Sequence, residues 1–283
     1  VERCPLSGSK RASIEGSADI VDDTTIPSKM TLAQPRHRKR DRHQCDAAEE
    51  RMDDALTTNL GLSGVTPWGR QAFEYIAFFA LREDCSPGRI LDCGAGPSSF
   101  TAEMSRRGWD VTAVDPLYRL DGKTIDSYVD GAKKRIGPAL AIERERFSWN
   151  FYGSPEELFA IRDRACDLFL KDYASGRREG RYVEGRLPSL NFGSDAFELA
   201  LCSHFLFLYS DFLDEVFHVQ SLLELSRVAR EVRVFPLVKM DGAPAQYLAA
   251  ARSQLEQRGL IVSVDPVPFE FQRGATSMLR ICR

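Results

Sequence analysis

The sequence has few of the features that place a chain by composition alone. Over its 283 residues no apolar run reaches the roughly 20 residues a bilayer-spanning helix needs, so no transmembrane segment is expected. The opening residues lack the apolar core of a secretory signal. Net charge is only −3, too weak a field to draw the whole molecule to nucleic acid or to a membrane. Seven cysteines stand at positions 4, 45, 85, 93, 166, 202 and 282, with no CxxC. A disulfide framework or a metal site is therefore not expected, and a reducing, cytoplasmic compartment is the simpler reading. There is no internal repeat.

What is present suits an ordinary folded chain. Hydrophobic residues make up 43%, and the length suffices for one α/β domain with insertions or for two small domains. Residues 1–55 differ from the rest: polar, poor in aromatics and without apolar periodicity, they read as a disordered tail. Within them the basic run 35–43 could touch nucleic acid, but no aromatic is interleaved to stack on bases, and a solvated segment is the simpler reading. A helix start is expected at Thr66-Pro67-Trp68, a capping residue followed by proline, with Ala72, Phe73, Ile76, Phe79 and Ala80 at helical spacing.

From Arg89 the pattern alternates. The segment 89–93 is a short apolar strand, 94–97 a turn, and 98–107 a helix that Ser98 can cap and Gly108 ends. A second strand covers 109–115, and this βαβ unit predicts two parallel strands with a right-handed crossover. Residues 117–180 are long for one crossover and look helical. Further strands are expected at 181–184, 197–202 and 231–238, pairing in the last failing near Pro236, which has no N–H to donate. Helices are expected at 210–230, with Phe212 and Val216 on its apolar faces, and from Pro244 to Gly259. A hairpin of 260–268 with 276–281 closes the chain.

The turn after the first strand carries the chemistry. Ligands of open α/β sheets bind at the carboxyl ends of the strands, where strand order switches. Gly94 and Gly96 let a ligand approach the backbone there. The third glycine of a dinucleotide loop is replaced by Ser99, and the strand ends in an acid, Asp92. An acid repels a pyrophosphate and suits a cationic ligand. S-adenosylmethionine, with an ammonium, a sulfonium and one carboxylate, meets that demand. Asp115 ends the second strand, placed to accept hydrogen bonds from ribose hydroxyls.

The segment from Ile90 to Pro116, with Asp92-Cys93-Gly94-Ala95-Gly96-Pro97 and Asp115, resembles the first two motifs of class I S-adenosylmethionine-dependent methyltransferases. The resemblance runs over about residues 60–283 and implies an α/β, Rossmann-like, doubly wound seven-stranded sheet with an antiparallel last strand, here with a helical insertion at about 117–180. It implies S-adenosylmethionine as cofactor. Asp92 would help hold its methionine amino group, Cys93, Gly94, Ala95, Gly96 and Pro116 would lie against the cofactor, Asp115 would bind its ribose, Leu187 would flank its adenine, and Ser203 and His204 would lie beside its methionine end. The stretches 203–209, 231–236 and 269–274 look like a bacterial subgroup of these enzymes.

The acceptor side is less determined. His204, after the fourth strand, is the candidate base; a structural histidine is the competing reading. Tyr209 could be a donor to the acceptor or a packing residue, and His218 reads as structural. The Asn/Asp-Pro-Pro-Tyr/Phe motif of exocyclic-nitrogen methylation is absent after the fourth strand, and Cys202 lacks a preceding proline, so it reads as a buried inert thiol. Trp149, Phe151, Tyr152 and Tyr173 could wall an acceptor pocket or form the insertion's own core. The expected function is methyl transfer to an oxygen, nitrogen or carbon of a small molecule, in preference to nucleic acid. The alternatives are a non-catalytic S-adenosylmethionine-binding sensor or scaffold, and a nicotinamide-dependent oxidoreductase.

Overall fold

A computed structural model describes residues 66–84 and 86–283. The expected tail at 1–55 and its basic run lie outside these residues. Seven strands form one sheet in the order β3-β2-β1-β4-β5-β7-β6. They are β1 (Arg89–Cys93), β2 (Asp110–Val114), β3 (Tyr182–Val183), β4 (Phe197–Ser203), β5 (Ala229–Phe235), β6 (Ile261–Pro266) and β7 (Ser277–Cys282). All neighbours are parallel except β7, which runs antiparallel to both β5 and β6. The predicted sheet, its reversed last strand and the C-terminal hairpin are all present. Strand order switches between β1 and β4, which opens a crevice at their carboxyl ends.

Alternation along β1 divides the core. Leu91 and Cys93 face one layer, packed with Ala200, Cys202 and the helices α5 (Glu215–Val228) and α6 (Leu248–Glu256). Ile90 faces the other, with α1 (Ala72–Phe79) and α2 (Phe100–Arg106). Asp92 shares the parity of Ile90, and it meets Tyr75 of α1.

The first helix begins later than Thr66-Pro67-Trp68 predicts. It starts at Ala72, where Gln71 and Glu74 form a capping box. Residues 66–71 instead run as a strap against the glycine loop. The Arg70 carbonyl, which a helix would use internally, accepts from Ser99 N (3.0 Å) and from Ser98 Oγ (2.7 Å). Gly69 passes so close that a β-carbon on it would sit 2.1 Å from the Pro97 oxygen.

The insertion is helical as expected: α3 (Gly122–Ile142) and α4 (Pro155–Arg178), the latter capped by Ser154 accepting from Glu157 N. Its four aromatics pack into cores shared with the sheet layers and line neither of the two cavities described below. Tyr173 lies with Tyr118, Phe169 and Tyr182, and its hydroxyl donates to the carbonyls of Tyr118 and Leu120. Trp149, Phe151 and Tyr152 pack with Phe269 and Phe271 of the C-terminal segment.

Boundaries shift in the second half. The fifth helix begins at Glu215, where the Asp214 side chain accepts from Phe217 N (2.8 Å), and not at Ser210. Ser210 follows a 3₁₀ turn at Phe207–Tyr209 instead. Phe212 and Val216 are 63% and 60% exposed, so the buried face of α5 is carried by His218, Val219, Leu222 and Leu225. The fifth strand stops at Phe235, before Pro236, as the missing N–H requires. Pro244 bridges Val238 and does not open α6; Ala245 N donates to the Leu237 carbonyl and holds that segment extended. Among the described residues no helix is long and apolar enough to cross a membrane, and no group of three or more His, Cys, Asp or Glu could hold a metal ion.

Candidate active site

The crevice at the carboxyl ends of β1, β2 and β4 is a cavity of about 460 Å³. Cys93, Gly94, Ala95, Gly96, Asp115, Pro116, Leu187, Ser203 and His204 all line it. Sequence-distant residues are thus gathered into one site. Gly94 and Gly96 have φ of +70° and +55°, a region that a β-carbon strains. The loop is fastened by Gly94 N donating to the Val114 carbonyl (2.9 Å) and by the Tyr118 hydroxyl donating to the Gly96 carbonyl (2.7 Å).

Asp115 is buried, and its carboxylate accepts from Gly96 N (2.9 Å) and Leu117 N (2.8 Å). A carboxylate offers about four lone-pair positions, so capacity is left for a ligand. Burial pushes its pKa up to about 6 against those two backbone bonds. Asp92 stands one layer behind the lining. Its Oδ1 accepts from the hydroxyl of Tyr75, a lining residue (3.1 Å). Its Oδ2 is buried with no hydrogen-bond partner among the described residues. Burial raises this carboxyl to about 8; the Tyr75 bond works against that shift and the charge of Asp115 adds to it.

A cation answers these acids. Arg70 of the strap lines the cavity, donates from one terminal nitrogen to the Trp68 carbonyl (2.8 Å), and has a buried Nε without a partner. Behind it Arg162 of α4 is fully buried with Glu74 (2.5 Å) and Tyr152 (2.9 Å), its guanidinium 5.0 Å from the Trp68 ring. Arg162 is thus paired with Glu74, while Arg70 makes no ion pair with a carboxylate among the described residues. Burial and the neighbouring Arg162 lower Arg70 to about 10. A positively charged pocket wall of this kind calls for an anionic group on the ligand.

His204 follows β4 with φ +51°, its backbone N donating to the Phe235 carbonyl (2.6 Å). Its Nδ1 lies 2.9 Å from Ser203 Oγ, and its ring meets Phe78 and Phe235 edge-on at 4.8 and 5.3 Å. Burial, then the charges of Arg70 and Arg162, hold its pKa well below the ordinary histidine range, so the ring is neutral at pH 7. A neutral imidazole can accept a proton, and one held to so low a pKa takes it only as the acceptor's own acidity rises during methyl transfer. His218, by contrast, is fully buried, bonded to the Asp214 carbonyl and near Ser210 Oγ. Cys202 is fully buried, and burial pushes its thiol up to about 12.

A second cavity, about 280 Å³, adjoins the first and shares Thr66, Trp68, Arg70 and His204 with it. Phe235 and Pro236 line it, as do Ile136, Leu140 and Phe147 of the insertion and Phe269 and Phe271 of the C-terminal segment. Sequence reading missed Arg70, Trp68 and Tyr75. The strap carries no motif, and the one available signal was Gly69 beside an arginine in a segment taken for a helix.

No protein-family model matches the chain. The uncharacterized protein MJ0045 of the archaeon Methanocaldococcus jannaschii is 30% identical over 228 residues, covering 79% of this chain and 99% of that one. A magnesium-protoporphyrin O-methyltransferase of Rhodobacter capsulatus is 35% identical over 72 residues only, 25% of this chain and 29% of its own length. Among solved structures, a TehB-like SAM-dependent methyltransferase from Corynebacterium glutamicum is similar at 16% identity, with TM-score 0.39, over 84% of this chain and 98% of that one. The expected subgroup was bacterial, whereas the relative matched almost end to end is archaeal. The chain has the seven-stranded, reversed-last-strand fold of class I S-adenosylmethionine-dependent methyltransferases and belongs to the family of MJ0045.

Proposed function

We propose that the protein is an S-adenosylmethionine-dependent methyltransferase acting on a small molecule. One observation carries the cofactor reading: the buried, unpartnered oxygen of Asp92 behind a glycine-loop cavity whose lining also includes Arg70. An orphaned buried carboxylate oxygen calls for a donor, best a cationic one, and an under-paired guanidinium calls for an anion. An amino-acid ammonium and carboxylate satisfy both. A dinucleotide pyrophosphate satisfies Arg70 but offers no donor to the orphaned Asp92 oxygen and is repelled by Asp115, which disfavours the nicotinamide reading.

In this reading Asp92, through Tyr75 or water, and the loop Cys93, Gly94, Ala95 and Gly96 hold the methionine part, and Arg70 takes its carboxylate. Asp115, with Pro116 beside it, binds the ribose. Leu187 packs on the adenine. Bound S-adenosylmethionine supplies a methyl carbon on a positively charged sulfur that is already a good leaving group. The chain's own contribution is then to orient an acceptor, exclude water and receive a proton. Ser203 fixes the His204 ring through Nδ1, and His204 stands at the junction of the two cavities. A second chamber at that junction is what an acceptor needs and a sensor does not.

Thermal melting with S-adenosylhomocysteine, and separately with NAD, tests this. At 100 times its dissociation constant the homocysteine compound should add about 2.7 kcal/mol of stability. We expect that gain in the wild type, none from NAD, and its loss in Asp115→Ala. A gain from NAD alone would overturn the reading.

A further inference from the structure

The second cavity has a polar end and a mainly aromatic and aliphatic body, with Arg135, Glu143 and Gln272 also in its wall, and that division describes its ligand. The polar end is at the junction, where Thr66, Arg70 and His204 line both cavities and Tyr209 lines the second. The Tyr209 hydroxyl accepts from Thr66 N (3.0 Å) and is also within hydrogen-bonding reach of the Thr66 side chain. Burial raises Tyr209, so its proton stays in place to be donated.

The body is made of ring faces and edges. Phe147 and Phe271 stack at 4.7 Å and 19°. Phe235 and Phe269 meet edge to face at 5.7 Å, both packed on Phe78. Such surfaces favour a flat ring, which can stack on one wall and meet another by its edge. The volume lies near the lower bound of roughly 300 Å³ for ligand pockets, which sets a limit of one or two fused rings. Half-exposed Met240 lines the cavity and marks its opening to solvent.

We propose that the second cavity is the acceptor site and takes a one- or two-ring aromatic that carries a hydroxyl group directed at His204 and Tyr209. The proposal rests on the methyltransferase reading above. The step balances as follows: the hydroxyl proton passes to the neutral His204 ring, and the oxygen's electron pair forms the new O–CH₃ bond. The C–S bond breaks, its electron pair stays on sulfur, and the products are an aryl methyl ether and a neutral thioether. His204 later returns its proton to solvent. Tyr209 is a positioning donor, since its proton is retained.

The probe is 2-naphthol, added to the full chain with and without S-adenosylhomocysteine, binding being read by calorimetry and melting. Two variants narrow the chamber away from the glycine loop: Ile136→Trp within it, and Met240→Trp at its mouth, where the residue is 50% exposed and folding is not at stake. We expect the wild type to bind 2-naphthol and both variants to bind it roughly tenfold or more weakly, about 1.4 kcal/mol. S-adenosylhomocysteine should bind all three alike, which also certifies their folding. If that compound binds and 2-naphthol does not, or binds wild type and variants equally, the proposal is overturned. If 2-naphthol binds wild type selectively while S-adenosylhomocysteine fails throughout, the ligand class stands and the methyl-transfer reading falls.

Discussion

The larger cavity takes most of its wall from short runs at strand ends: 93–96 after β1, 115–117 after β2, 185–188 after β3 and 203–205 after β4. The smaller takes its wall from the strap, α3, the turn near Leu208, the end of β5 and the C-terminal segment around Phe269, positions up to 209 residues apart between Thr66 and Ala275. One is a polar site imposed by the sheet, because parallel strands must all end on the same edge. The other is an apolar space left where an insertion packs on the C-terminal segment. The first is tied to topology and the second to this chain's particular side chains. A change of insertion would alter what the second cavity accepts while leaving the first intact.

Three substitutions probe that division, in descending order of expected effect. Arg162→Met leaves Glu74 buried without its partner and should cost about 3–5 kcal/mol. Chemical denaturation reads it, and a cost below about 1 kcal/mol would show that the buried pair does not hold the strap region together. Gly69→Ala drives a methyl into the Pro97 carbonyl and should cost about 1–3 kcal/mol, the range for overpacking. Because the strap lines both cavities, this variant should weaken S-adenosylhomocysteine and 2-naphthol together. Weakening of one alone would show that the cavities do not share the strap as a wall.

The smallest effect concerns pH. The folded-state pKa of Asp92 is raised to about 8, so between the ordinary carboxyl range near 4 and pH 8 the folded state holds a proton that the unfolded state has lost. Its contribution to stability therefore falls as pH rises through that window. Asp92→Asn should remove this slope and leave the ligand-free protein as stable or slightly more so at pH 8, while weakening S-adenosylhomocysteine. In the wild type, a ligand that prefers the ionised carboxylate should release protons on binding below pH 8. Calorimetry in buffers of different ionisation enthalpy measures that release, and its absence would remove Asp92 from the ligand's surroundings.

The first βαβ unit, the glycine turn and both acids were legible because each is local: an apolar strand, a turn residue and an acid within a few positions; the seven-stranded sheet came from the resemblance those motifs carry. Even the failure of pairing at Pro236 followed from one missing N–H. The strap was not legible, because Thr66-Pro67 carries a helix-start signal that the Arg70 carbonyl overrides by bonding the loop. Phe212 and Val216 misled in a similar way. Their spacing is helical, yet Asp214 starts the helix after Phe212 and leaves both side chains outward. The four aromatics of the insertion were read from type alone, and only tertiary packing could separate Tyr152, tied to Glu74, from Phe147 at the cavity wall.

Thr66, Trp68 and Arg70 stand in the walls of both cavities, on one continuous stretch of backbone pinned to the glycine loop at Ser98 and Ser99. Two ligands that press on a common wall are thermodynamically linked, and the linkage is reciprocal. Whatever filling the first chamber does to affinity in the second, filling the second must do to the first by the same factor. The strength of that coupling then becomes a property of six residues of chain, and a change in the strap that touches neither ligand's chemistry resets how strongly each senses the other.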